Sequence, residues 1–319
     1  MRRKRWMSGA AAALLLAGAL ALVGGPTADA ANPWGANYFP NVPLITQDGV
    51  PVRLYDDLLK GKTVAINVIY TSCTDECPLE TARLVQVQRL LGDRMGRDIF
   101  FYSLTIDPKH DTPEVLSAYA KKFGVGPGWL FLTGKAEDVK LAAKKLGLSR
   151  PNDAASRDGH RPVLMIGDEP NGRWMRNSAV DSPRFIATKI GNFMGWKTPE
   201  GPALSTDLAK LRAPDTGTYV FQNRCGACHT IGKGDGVGPD LAGVTTRRER
   251  DWLIRYVRAP DEMLAQNDPI AVALFAKYKN VSMPNLKLSD AEITAVLTFI
   301  EAQAGAARLR QGEEAAPAR

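Results

Sequence analysis

The sequence predicts two folded domains of different class, a mixed α/β domain over residues 37–196 and a small all-α domain over residues 214–304. Three observations predict this. Apolar runs of strand length alternate with helical patterns through the first segment, whereas the second holds helical periodicity alone. Between them, Thr198 to Asp215 carries three prolines, Gly201 and several small polar residues, which is linker composition. A chain of 319 residues, 45% hydrophobic and 24% charged, is long enough for two such domains and too polar to lie in a membrane throughout.

Residues 1–30 belong to neither domain. Arg2, Arg3, Lys4 and Arg5 precede an uncharged Ala/Leu run from Met7 to Val23, and Ala28-Asp29-Ala30 gives a small-x-small cleavage signal. The expectation is a signal peptide and an exported, periplasmic protein. The alternative is an uncleaved anchor in the inner membrane, since an apolar run of about 17 residues is at the short end of what spans a bilayer. The formal charge of +7 includes those four basic residues, and no Lys/Arg stripe interleaved with aromatics marks a nucleic-acid surface.

In the α/β segment, a strand over Val50–Leu54 follows the turn signal Gln47-Asp48-Gly49. Val64 to Tyr70 reads as a buried central strand, Leu79 to Leu91 as a helix and Ile99 to Leu104 as the next strand. Pro113 sits at a first helical position behind Thr112, so a helix runs to Phe123 before Gly124. Trp129–Leu132, Val163–Ile166 and Arg173–Met175 read as strands, and Ala136–Leu146 and Pro183–Phe193 as helices. The second segment gives helices over Thr216–Arg224, Arg248–Arg258, Ile270–Tyr278 and Asp290–Gln303. The tail, residues 305–319, lacks apolar periodicity and reads as disordered.

The four cysteines form two close pairs, Cys73/Cys77 and Cys225/Cys228, unlike the scattered spacing of a disulfide framework. Cys225-Gly226-Ala227-Cys228-His229 is the C-x-x-C-H signature of covalent haem attachment: both thiols add to the vinyl groups, and the adjacent imidazole reaches the iron. One covalent haem c is the expected cofactor. Segment 214–304 also resembles a class I cytochrome c. The resemblance implies that Gly217 and Phe221 pack against a C-terminal helix carrying Phe299 and Ile300. It implies that the Pro239 carbonyl accepts the His229 Nδ1–H, and that Met283, in Ser282-Met283-Pro284-Asn285-Leu286, is the sixth iron ligand. Met263, just after Pro260 on a helical pattern, is the other methionine weighed, and packing is the commoner use of such a residue.

Cys73 and Cys77 end a buried strand, and four-residue spacing in a helical turn puts both sulfurs on one side. Two thiolates are a soft pair that selects copper(I) or zinc, and a copper that also visits the cupric state wants a nitrogen ligand. Of the three histidines, His229 is taken, His110 in Pro108-Lys109-His110-Asp111 reads as a solvated loop residue, and His160 precedes an apolar strand.

Together these residues resemble the Sco/SenC family of thioredoxin-fold copper chaperones. The match rests on Thr71-Ser72-Cys73 through Cys77-Pro78, on Thr105-Ile106-Asp107-Pro108 with Asp111-Thr112-Pro113-Glu114, and on His160 before a strand. The resemblance implies a thioredoxin-like fold, a copper ion held by Cys73, Cys77 and His160, and as partner the cytochrome c oxidase subunit carrying the copper A site. The family commonly has aspartate directly before the histidine; here Gly159 stands there and Asp158 one residue earlier.

Haem and copper each pass one electron, whereas a disulfide takes two, so a tethered cytochrome suits cycling of bound copper. Two other readings stay open: a thiol–disulfide oxidoreductase using Cys73 and Cys77 catalytically, and a respiratory electron carrier with a Sco-like docking module. A flexible linker of about 18 residues would span roughly 20–25 Å, keeping both sites near millimolar effective concentration.

Overall fold

Turn chemistry sets the first hairpin. Thr46 Oγ1 accepts from the backbone N–H groups of Asp48 and Val50, folding β1 (Pro43–Thr46) back on β2 (Pro51–Arg53). The strand expected through Leu54 stops at Arg53. Leu54, Tyr55, Leu58 and Leu59 are buried at helical spacing, so Leu54–Leu59 coils into a wide helical turn instead. The computed structural model describes residues 33–73, 76–149, 162–196 and 215–314. The leader, the linker and His160 lie outside these residues.

The remaining elements of the first domain are β3 (Thr63–Ile69), α1 (Glu76–Leu91), β4 (Phe100–Thr105), α2 (Pro113–Phe123), β5 (Trp129–Thr133), α3 (Ala136–Lys145), β6 (Val163–Asp168), β7 (Arg173–Ser178) and α4 (Pro183–Phe193). Among the described residues they and the first hairpin build a seven-stranded sheet in the order β2-β1-β5-β4-β3-β6-β7. The inner pairs β3·β4 and β4·β5 are parallel and the outer pairs antiparallel, the mixed arrangement of a thioredoxin-like domain.

Every residue of β3 is buried, as its continuous apolar run requires of a central strand. Its side chains alternate between faces. Ala65 and Ile69 join α1, α2 and α4 in one core, while Val64, Ile66 and Val68 join α3 and the Phe39–Leu59 segment in the other. Thr63, at its start, and Asn67 are the polar residues of the strand. Asn67 donates to Glu80 Oε2 at 3.1 Å and accepts from Ser103 Oγ at 2.7 Å, and Ser103 Oγ also accepts from Trp129 Nε1 at 2.9 Å. This buried chain of hydrogen bonds locks α1 to the sheet.

The C-terminal segment is helical: α5 (Thr216–Val220), which runs on in a wider turn through Cys225, then α6 (Val244–Arg247), α7 (Arg250–Arg258), α8 (Pro260–Ala265), α9 (Pro269–Lys277) and α10 (Asp290–Glu314). Gly217 is where α5 crosses α10: a Cβ there would lie 2.3 Å from the Ala295 carbonyl oxygen, so only glycine permits the approach. One turn on, the Phe221 and Phe299 rings meet at 5.3 Å. Ser289 and Glu292 cap α10 reciprocally, Ser289 N–H donating to Glu292 Oε2 at 2.8 Å and Glu292 N–H to Ser289 Oγ at 3.4 Å. The disordered-tail expectation is corrected for residues 305–314, where α10 continues to Glu314. Ala, Arg, Gln and Glu are strong helix formers, and propensity extends the helix where apolar periodicity has ended.

Candidate functional site

The first cluster lies at the C-terminal end of β3. A turn closed by Cys73 N–H donating to Tyr70 O (3.2 Å) lifts Cys73 off the strand, and Cys77 falls on the first turn of α1. Cys73 is partly exposed and Cys77 fully buried, and the two thiols are hydrogen-bonded to each other. Burial pushes the Cys77 thiol well above its ordinary range, and the Cys73 hydrogen bond and the nearby Glu80 carboxyl push the same way.

Asp111, fully buried, anchors this loop. Its carboxylate accepts from Thr71 N–H at 3.1 Å and from the hydroxyls of Thr71 and Thr105. The Asp111-Thr112-Pro113-Glu114 motif therefore ties the loop before Cys73 to the loop before α2. At the same junction Thr112 caps α2 by accepting from Val115 N–H. Nothing in the Asp111-Thr112-Pro113-Glu114 sequence itself gives the aspartate this task; the hydrogen bonds to Thr71 and Thr105 do.

His110, three residues past Asp107, is exposed, as a solvated loop residue should be. His160 lies outside the described residues, and among the described residues no trio of His, Cys, Asp or Glu side chains gathers as a metal site. The structure thus brings Cys73 and Cys77 together and leaves the third expected ligand unassigned.

The second cluster surrounds His229. Its Nδ1 is 2.9 Å from the Pro239 carbonyl oxygen, and the ring lies close against Gly238, where a Cβ would come within 2.6 Å of Cε1. Such a hydrogen bond holds the proton on Nδ1 and leaves Nε2 as a lone-pair donor. Desolvation lowers the His229 pKa, and the Pro239 bond opposes it, so the imidazole is neutral near pH 7. Asp240 braces the same loop. Burial works against its ionisation, but donations from the N–H groups of Ala242, Gly232 and Gly234 outweigh it and hold the carboxyl down at about 2.

A cavity of about 400 Å³ opens beside His229. Cys225, Met283, Leu286, Val296, Leu297 and Ile300 are among its walls. That volume is within the roughly 300–1,000 Å³ typical of cofactor sites. A narrower cleft joins Cys228, His229 and Met283. Cys225 and Cys228 are half-buried, and the apolar cover over them raises both thiols to about 12. Met263 is buried in the helical core with Trp252, Leu253 and Ile293. Two cysteines, a neutral imidazole with its Nε2 lone pair and a thioether, set around a cavity and a cleft that share His229 and Met283, are the donor set that a covalently attached haem requires, and the residues fit that group.

The class is thus a thioredoxin-like domain with a strand-end thiol pair, joined to a small helical domain of cytochrome type. A family model described as SCO1/SenC matches residues 36–175, and one described as Cytochrome c matches residues 214–304. A SCO2-like protein of Rickettsia conorii is 37% identical over 144 residues, covering 44% of this chain and 68% of its own length. Protein SenC of Rhodobacter capsulatus is 26% identical over 155 residues, covering 47% and 68%. Yeast Sco1 with copper bound shares 24% identity at a TM-score of 0.40, covering 50% of this chain and 95% of that one. The chain belongs to the SCO1/SenC family and carries a cytochrome c domain in addition.

Proposed function

We propose that this chain is an exported copper-binding protein of cytochrome c oxidase assembly, taking copper as cargo on Cys73, Cys77 and His160 and carrying one covalent haem for one-electron transfer. The partner is the oxidase subunit that bears the copper A site. The observation that carries this reading is the thiol pair: two neighbouring sulfurs, one partly exposed and one buried, hydrogen-bonded to each other at a strand end. Cys73 meets the incoming ion first, and Cys77 gives up its proton as its sulfur binds, since copper(I) stabilises a thiolate that burial alone disfavours.

In the second domain, Cys225 and Cys228 are the residues that would hold the haem and His229 and Met283 those that would ligate its iron. Bound there, the group supplies a one-electron couple. Pro239 fixes the His229 ring and its tautomer, Gly238 lets the ring seat against the loop, and the walls formed by Leu286, Val296, Leu297 and Ile300 exclude water. With His229 and Met283 as its protein ligands, the iron would be closed to exogenous ligands, which suits electron transfer.

The test is Cu(I) uptake by purified, metal-free protein. One equivalent per chain is expected, with Cys73→Ser abolishing it and His160→Ala weakening retention of Cu(II) more than of Cu(I). No stoichiometric uptake, or uptake unaffected by Cys73→Ser, overturns the reading.

A further inference from the structure

α1 carries an unusual pattern of burial. From Cys77 to Gln88 its residues are buried on nearly every side, Gln86 alone being intermediate, although a helix lying on a sheet normally shows one face to water. Arg83 is only 4% exposed and Glu80 and Thr81 not at all, so polar positions that would mark a solvent face are covered. Pro78, Ala82, Val85, Gln86 and Arg89 follow the spacing of a single stripe along the helix.

That stripe meets the haem-attachment loop. Gln86 Nε2 donates to Gly226 O at 2.9 Å and to Ala227 O at 3.2 Å. Those carbonyls end the helical turn that runs into Cys228 and His229, and carbonyls at a helix end need donors from outside the ladder. Ala227, Cys228, Val237 and Val281 pack on the core cluster that contains Cys77, Ala82 and Val85. Pro78, the residue after Cys77, stands in the wall of the cleft that also contains Cys228, His229 and Met283. The described residues of both domains cluster as one compact unit.

We propose that this stripe of α1 is a built-in docking face that seats the Gly226-Ala227-Cys228 loop against the helix bearing Cys77, making the haem edge and the thiol pair one fixed electron-transfer unit. The electron-transfer part rests on the function proposed above. A flexible tether would give an effective concentration near millimolar and a diffusive encounter; a seated loop removes the encounter step. Gln86 acts as a positioning residue, because its one amide group spans two consecutive carbonyls of the attachment motif.

The experiment uses the haem-loaded full chain labelled with nitrogen-15. Amide positions of Ala82, Val85 and Gln86 are compared between the paramagnetic ferric and diamagnetic ferrous states. Docking predicts clear paramagnetic shifts at all three in the natural sequence. These collapse in Gln86→Glu, whose carboxylate faces two carbonyl oxygens. Amide positions on α1 that are the same in both states overturn the proposal, whatever the variant does.

A second arm mixes ferrous protein with one equivalent of Cu(II). One electron leaves the ferrous haem and reduces the copper held by Cys73 and Cys77, giving ferric haem and Cu(I). The rate of the electron-transfer phase that follows copper uptake is expected to be independent of protein concentration and to fall at least tenfold in Gln86→Glu. A rate that scales with protein concentration, or one unchanged by the substitution, overturns the fixed unit. Copper uptake by equilibrium dialysis is read separately, so loss of the copper function and loss of docking give different results.

Discussion

Asp111 has no exposed surface and accepts from both the backbone and the hydroxyl of Thr71, two residues before Cys73. Asp111→Ala leaves those donors unsatisfied, and a loss of about 2–3 kcal/mol in unfolding free energy is expected in a urea titration, with Cu(I) affinity falling as the loop loosens. Asp240 makes a pH prediction. Its folded pKa, about 2, is below the ordinary carboxylate value, so its stabilisation is fully present above pH 4 and is lost as pH falls toward 2. Thermal midpoints measured across that window should decline in the natural sequence, and Asp240→Asn should flatten the decline. At this scale the sequence was legible where a motif carried its own chemistry. The Cys225–His229 signature pointed to the cavity, and Pro239 does lie against the His229 Nδ1. Asp111 and Gln86 were not legible, because a carboxylate or an amide declares its task only through the atoms it touches.

Elements with strong local signals follow the sequence closely. α2 runs over Pro113–Phe123 and α4 over Pro183–Phe193, each with a capping hydroxyl just before a proline in the first turn. The four-residue β1 escaped reading, since Pro43-Leu44-Ile45-Thr46 is too short for alternation to register. The crossing of α5 and α10 makes an element-scale prediction. Gly217→Ala forces a methyl group into the Ala295 carbonyl, and a cost of about 1–3 kcal/mol is expected from overpacking, seen as an earlier melting of the helical domain. α1 runs against its local pattern, with Glu80, Thr81 and Arg83 buried, because tertiary contacts cover it from both sides.

Among the described residues of the molecule, three apolar clusters divide the work: two flank the sheet, and one lies inside the helical domain. The helical core, with Val220, Trp252, Leu253 and Ile293, stands apart from the thiol pair. A chain with Cys225→Ala and Cys228→Ala should therefore lose helical order in the second domain, read by far-ultraviolet circular dichroism. It should still bind Cu(I) through the first. Copper uptake lost together with the haem would refute that division.

The sequence by itself determined the two domain classes, the central strand, the haem-attachment motif and the thiol pair, because periodicity, turn residues and short-range sulfur spacing act over a few residues. Only the tertiary structure decided that Asp111 anchors the thiol loop and that Gln86 reaches Gly226 and Ala227 from 140 and 141 positions away in the chain. Such contacts depend on how separate elements pack, and no local pattern encodes the distance between groups that the chain brings together only after it has folded.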